Sequence, residues 1–141
     1  MKNILDLISR ICLATIFLFE AYDSIAYFQQ TKNTMTTYGL TWNQDFLLLA
    51  TIILLLLGGT LILIGYKASF GAFLLLLYWV PVTFIVFSFW NDPVEIRRLQ
   101  SIMFMKNIAI IGGLLAIMVN GAGKYSVKRL LAAVRSPRPK I

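Results

Sequence analysis

No histidine occurs in the 141 residues, and cysteine occurs once, at Cys12. The first absence removes imidazole ligation of haem or metal. It also leaves no side chain that titrates near neutrality at its ordinary pKa. The single cysteine rules out an intramolecular disulfide and a C-x-x-C redox pair. Cys12 lies in an apolar stretch and reads as a small buried hydrophobe. No metal site and no catalytic constellation is expected. Charge is scarce too: 13% of the residues are charged and 59% hydrophobic, against about 25% and about 45–50% in soluble domains. Such a chain is an integral membrane protein, and its length suits one small domain. Acids number six against thirteen basic residues, a net charge of +7. Nucleic acid is not the expected partner, because six of the thirteen basic residues fall in the last eighteen positions, the pattern of a cytoplasmic tail.

What is present in quantity is long apolar runs. The stretch Phe89–Gly121 opens with a helix start: Asp92 as N-cap, Pro93 at the first helical position and Glu95 at the third. No breaker follows until Asn120-Gly121, so one helix of about 28 residues and about 42 Å is expected. Its first turns carry Glu95, Arg97, Arg98 and Gln100; the remainder is apolar except at Lys106-Asn107 and Gly112-Gly113. Upstream, Ile4–Phe28 is too long and too often charged for a cleavable signal peptide and reads as a retained first span. Asp6 and Arg10 are spaced i,i+4 near its start, where an interfacial pair costs little.

Residues 29–45 are polar, with Tyr38 and Trp42 suited to the headgroup level. Phe46–Tyr66 has no charge in 21 residues, enough to cross about 30 Å of hydrocarbon. After a turn at Gly65-Tyr66-Lys67, a third uncharged span runs from about Ala68 to Trp90. Pro81 should kink it, with Thr83 near enough to help satisfy freed backbone groups. Placing both termini in the cytoplasm puts nine basic residues inside, against Lys32, Arg97 and Arg98 outside. In the tail, Val127, Leu130, Leu131 and Val134 share a face opposite basic residues. It either lies on an anionic leaflet or serves as a short orientation-setting helix.

The buried charges set the constraint on function. Glu20 and Asp23 fall about 10 Å and about 6 Å below the outer boundary on the first span, and Lys106 about 8 Å below it on the fourth. An unpaired charge at such depth costs about 3 kcal/mol or more. The first and fourth spans are therefore expected to be neighbours, with Lys106 paired to Glu20, Asp23 or both. Asn107, Tyr27, Asp92, Arg97 and Arg98 would close a polar network above. Three roles remain open for that cluster: fixing helix register, binding a polar ligand or quinone headgroup, or carrying protons or solute. Gly58-Gly59 and Gly112-Gly113 both fall near the midplane, where small residues let backbones approach, so the second and fourth spans are expected to pack there.

Arg10-Ile11 ahead of an apolar run, Gly58-Gly59-x5-Gly65 closing the second span, and FWNDP…MFMKNIAIIGGLL…GAGKYS together resemble the DoxX family over about residues 4–130. The most specific parts are Phe89–Leu115 and Gly121–Ser126. The resemblance implies a bacterial inner-membrane four-helix bundle associated with redox complexes, as a subunit of quinol-oxidase or thiosulfate–quinone systems or as a membrane anchor for soluble redox enzymes. In the first span this chain reads FEAYDSI, where many members have a glycine-containing turn ending in lysine; two acids stand there, so no generic family site is carried over. Thiol-oxidoreductase branches use cysteine pairs, which this chain lacks.

The expected fold is all-α, a transmembrane four-helix bundle over residues 1–123 (helices about 4–28, 46–66, 68–90 and 93–120) with a basic cytoplasmic tail over 124–141. The expected function is that of a non-catalytic subunit or scaffold of a larger, redox-linked membrane complex, with no intrinsic cofactor. Its partners would be the lipid bilayer and other membrane proteins, met through the outer loops 29–45 and 89–100 (the latter with Trp90, Asp92, Arg97 and Arg98) and the lipid-facing apolar helices, while Lys106, Glu20 and Asp23 would hold the bundle. The alternative is a quinone- or lipid-binding redox component, with the buried polar cluster of Glu20, Asp23, Lys106 and Asn107 hydrogen-bonding the headgroup and Tyr27, Trp79 and Trp90 lining the pocket.

Overall fold

Whether the apolar runs become helices, and which faces they bury, is answered by a computed structural model that describes residues 2–123 and 125–135. Among these residues every regular element is helical. Helix α1 is Lys2–Ala26, α2 Phe28–Thr37, α3 Gln44–Ile64, α4 Ala68–Val86, α5 Val94–Asn120 and α6 Val127–Arg135, with a single 3-10 turn at Phe89–Asn91. Three helices are long and apolar enough to cross a membrane: Gln44–Ile64, Ala68–Asn91 and Val94–Asn120. The tail residues Lys124, Arg138 and Lys140 lie outside the described residues.

Two local expectations change. The polar stretch 29–45, read as a connection, contains α2. No glycine or proline interrupts Phe28–Tyr38, and Gly39, at φ +79°, closes the segment. Gln44 Nε2 then donates to Thr36 Oγ1 and to the Leu40 carbonyl, both at 2.7 Å. Lys32 Nζ meets Asp45 Oδ1 at 2.6 Å, which ties α2 to the start of α3. The second change is at α5. Pro93 takes the N-cap position with extended ψ of 153°, so the helix starts one residue later than expected and no side chain caps it. Asp92 is held otherwise: its carbonyl accepts from Arg97 Nε at 3.2 Å and Nη2 at 2.9 Å.

Helix α1 buries Arg10, Ala14, Phe17, Ala21 and Ser24, at spacings of three and four residues that form one stripe. That stripe lies along α3; α3 packs on α4, and α4 on α5. Alternating small residues allow the close approaches. A Cβ on Gly58 would stand 2.6 Å from Leu75 Cγ and 3.1 Å from the Gly71 carbonyl, so α3 and α4 nearly touch backbones there. A Cβ on Gly59 would meet Leu18 of α1 at 3.1 Å. Adjacent helical residues point about 100° apart, so one glycine pair serves two neighbours.

The expectation that Gly58-Gly59 meets Gly112-Gly113 is therefore corrected. Gly113 faces Leu13 of α1, with a Cβ contact of 3.1 Å, while Gly112 has nothing within 4 Å. At the centre, Phe17 of α1 meets Trp79 of α4 edge to face, ring centroids 5.0 Å apart. Helix α4 continues through Pro81, and the Thr83 hydroxyl donates to the Trp79 carbonyl at 2.6 Å. Near the start of α5, Phe84, Phe89 and Trp90 surround the Phe104 ring at centroid distances of 5.4, 5.5 and 5.7 Å. Cys12, expected inside, is exposed on the outer face of α1.

Candidate functional site

Two contacts fix how α1 and α5 run past each other. Leu13 meets Gly113, and Asp6 meets Gly123; the numbers fall on one helix as they rise on the other, so the two are antiparallel. Seven residues from Leu13 toward the end of α1 stands Glu20, and seven before Gly113 on α5 stands Lys106. Seven residues make two turns, so each lies almost on the face of its reference residue and about 10 Å along. The register thus sets Glu20 and Lys106 at one level.

They do not pair. Among the described residues the ion pair present is Lys32–Asp45, and Lys106 is exposed while Glu20 is half-buried. The expected Lys106 pairing with Glu20 or Asp23 is corrected on that ground. Helices α1 and α5 touch sparingly: Leu13 meets Gly113 of α5, while Asp6 and Arg10 meet Gly123 and Tyr125 just beyond it. Glu20 lines the side of α1 that faces α2 instead.

Two buried donors lie near that level. Phe17 and Trp79 are in contact, and by the Leu13–Gly113 register Phe17 is level with residue 109 of α5. Trp79 and Asn107 are therefore within one helical turn in height. Trp79 Nε1 and Asn107 Nδ2 are both buried without a hydrogen-bond partner. A buried donor left unmatched costs about 1–3 kcal/mol. Helices packed this tightly tolerate that cost most easily where a further group supplies the acceptor.

The remaining predicted residues divide. Glu20, Asp23 and Tyr27 do come together, with Gln30, Thr31 and Thr34, around an open cavity of about 420 Å³ between α1 and α2. Trp90 belongs to the aromatic group around Phe104. Arg97 is bound to the Asp92 carbonyl, whose own Oδ2 is buried and unpartnered, and Arg98 is exposed. No group of three or more metal-ligating side chains occurs among the described residues.

Sequence reasoning missed the most deeply buried charge. Arg10, read as an interfacial partner of Asp6, is only 2% exposed. Its Nη1 donates to the Ile62 carbonyl at 3.4 Å and its Nη2 to the Tyr125 carbonyl, while Nε has no partner. Gly65 makes room: a Cβ there would stand 2.0 Å from Arg10 Nη1. The signal was present in the sequence. Arg10, the glycine ending α3 and the GAGKYS run are three separate conspicuous features, and the fold brings them to one point.

Three long apolar helices joined by short turns, with an arginine buried at one end, define a helical integral membrane protein. The model of the DoxX family matches residues 5–88, and the chain belongs to that family. A SURF4 family model matches residues 49–130. The segments 89–115 and 121–126, the most specific part of the resemblance, thus lie beyond the DoxX match and inside the SURF4 match. The inner membrane protein YqjF of Escherichia coli (strain K12) is 31% identical over 134 residues, 93% of this chain and 97% of that protein. A Surfeit locus protein 4 homolog of Schizosaccharomyces pombe is 39% identical over 69 residues, 48% of this chain. The ER-derived vesicles protein ERV29 of Saccharomyces cerevisiae is 34% identical over 79 residues, 55% of this chain. The matches cover only 23% and 25% of those two fungal proteins. No solved structure matches the chain.

Proposed function

We infer that this protein is a non-catalytic inner-membrane subunit whose α5 face around the exposed Lys106 receives an acid-bearing transmembrane helix of a partner in a redox-linked complex. In this reading α1, α3, α4 and α5 all cross the bilayer as a four-helix bundle, with both termini cytoplasmic. Support for the fourth crossing comes from α1 itself: 25 residues reach about 37 Å, and it lies along α3. Support for the orientation comes from nine basic residues on one side against three on the other. The inner-membrane location rests on the likeness to YqjF, and the redox link on the family resemblance. With no histidine and one cysteine in the chain, the electron carriers would belong to the partner.

The observation that carries the reading is Lys106, exposed midway along a spanning helix and without an ion pair among the described residues. An uncompensated lysine in hydrocarbon costs about 3 kcal/mol, which a facing carboxylate would offset. The test is a photoreactive residue in place of Ile102, one turn from Lys106, with Phe73 on α4 as control. Capture of a span carrying Asp or Glu at Ile102, lost in Lys106→Met and kept in Lys106→Arg, supports the reading. Capture indifferent to Lys106 sinks it and leaves a lysine that only snorkels to the headgroups.

A second reading has its own observation. The unpartnered Trp79 Nε1 and Asn107 Nδ2 suit the carbonyl oxygens of a quinone headgroup inserted between the helices, with Lys106 as a further donor. A quinone-mass adduct lost in Asn107→Leu would favour it.

A further inference from the structure

At the opposite end of the molecule, α6 leaves a cavity of about 450 Å³ against the body. Its lining combines Leu7 of α1, Leu63 and Ile64 of α3, and Ser126 and Arg129 at the start of α6 with the buried Arg10. We propose that this cavity is a site for an anionic phospholipid, the phosphate held between Arg10 and Arg129 and the acyl chains running over Leu7, Leu63 and Ile64. The site is independent of Lys106 and does not rest on the partner-helix reading.

Three features argue for that ligand. Arg10 is 2% exposed, and its Nε has no partner, so a charged donor remains unsatisfied at the cavity. Arg129 is exposed and forms no ion pair among the described residues. Guanidinium groups hold phosphate oxygens in fork geometry. The first turn of the nine-residue α6 contributes Ser126 and Val127 to the lining, so its positive dipole end lies there as well.

The apolar walls decide between lipid and free phosphate. Leu7, Leu63 and Ile64 lie on or beside membrane-length helices, at the level where α3 ends and headgroups begin. A hydrated free anion gains nothing from such walls, whereas acyl chains do. Helix α6 adds an exposed apolar side with Leu130, Leu131 and Val134 at 70, 49 and 77% exposure. A helix of that kind lies in the headgroup plane.

The test uses the full chain, purified in mild detergent and stripped of lipid, with binding followed by native mass spectrometry. Phosphatidylglycerol, phosphatidylcholine and inorganic phosphate are the three probes. Arg129→Gln removes a lining charge, and Arg135→Gln removes an equal charge from α6 outside the cavity. Expected are preference for phosphatidylglycerol over phosphatidylcholine, weakening of roughly fivefold or more in Arg129→Gln, and little change in Arg135→Gln. Equal weakening in the two variants reduces the effect to surface charge and overturns the site. Equal retention of the two lipids overturns it as well. Displacement of the lipid by millimolar inorganic phosphate overturns the lipid as occupant.

Discussion

Gly65→Ala is the sharpest perturbation the Arg10 site offers. Gly65 has φ +77°, the left-handed region, where an L side chain costs about 1–2 kcal/mol. The new Cβ would also stand 2.0 Å from Arg10 Nη1 and 2.8 Å from Ser126 Cβ. The guanidinium must move, and in moving it gives up at least one charged hydrogen bond to the Ile62 or Tyr125 carbonyl, worth about 1.5–3 kcal/mol. The sum is about 4 kcal/mol, which for a chain of this length lowers the melting temperature by about 10 °C. Thermal unfolding in detergent, read by tryptophan fluorescence, measures it. Gly112→Ala is the control: nothing lies within 4 Å of its Cβ, and replacing a helical glycine stabilises by about 0.5–1 kcal/mol. If Gly65→Ala melts within a degree or two of wild type, Arg10 is not anchored as described and the argument for its site fails.

Gly58→Val forces a side chain toward Leu75 and the Gly71 carbonyl and should destabilise the α3–α4 contact by about 1–3 kcal/mol in the same assay; a neutral result would mean the helices are not that close. Trp79→Phe removes an indole N–H that has no partner while keeping a ring against Phe17, so the stability change should stay within about 1 kcal/mol. A much larger loss in lipid-stripped protein would show that the N–H is bonded after all. Lys32→Met breaks the pair with Asp45, whose side chain is 73% exposed, and should cost less than about 1 kcal/mol, the loss shrinking further in high salt.

The spans were legible because uncharged apolar runs of about twenty residues have few alternatives. Their ends were readable where glycine closes a helix, as at Gly65 and Gly121, each of which donates its N–H back to the last turn. Helix α2 was hidden, since four threonines and two glutamines in Phe28–Thr37 give weak helix propensity. What orders it is the tie from Gln44 and Asp45, contacts between segments about ten residues apart. Which charges would meet was read from depth alone, and depth says nothing of which neighbour a side chain faces: Glu20 lines the α1–α2 cavity and Lys106 is exposed. The same limit misled the glycine pairs, whose partners follow from azimuth rather than from height. Arg10 was underrated because a charge near a helix start is normally interfacial; its burial depends on a loop more than a hundred residues away.

The measurement that tests the central claim is native mass spectrometry of protein gently extracted from its own membrane, comparing wild type with Lys106→Met. The account predicts that wild type travels with a partner membrane protein. Lys106→Met should lose that partner while keeping the wild-type melting temperature, because Lys106 forms no ion pair among the described residues. Retention of the same partner by Lys106→Met would contradict it, since the exposed lysine would then play no part in assembly.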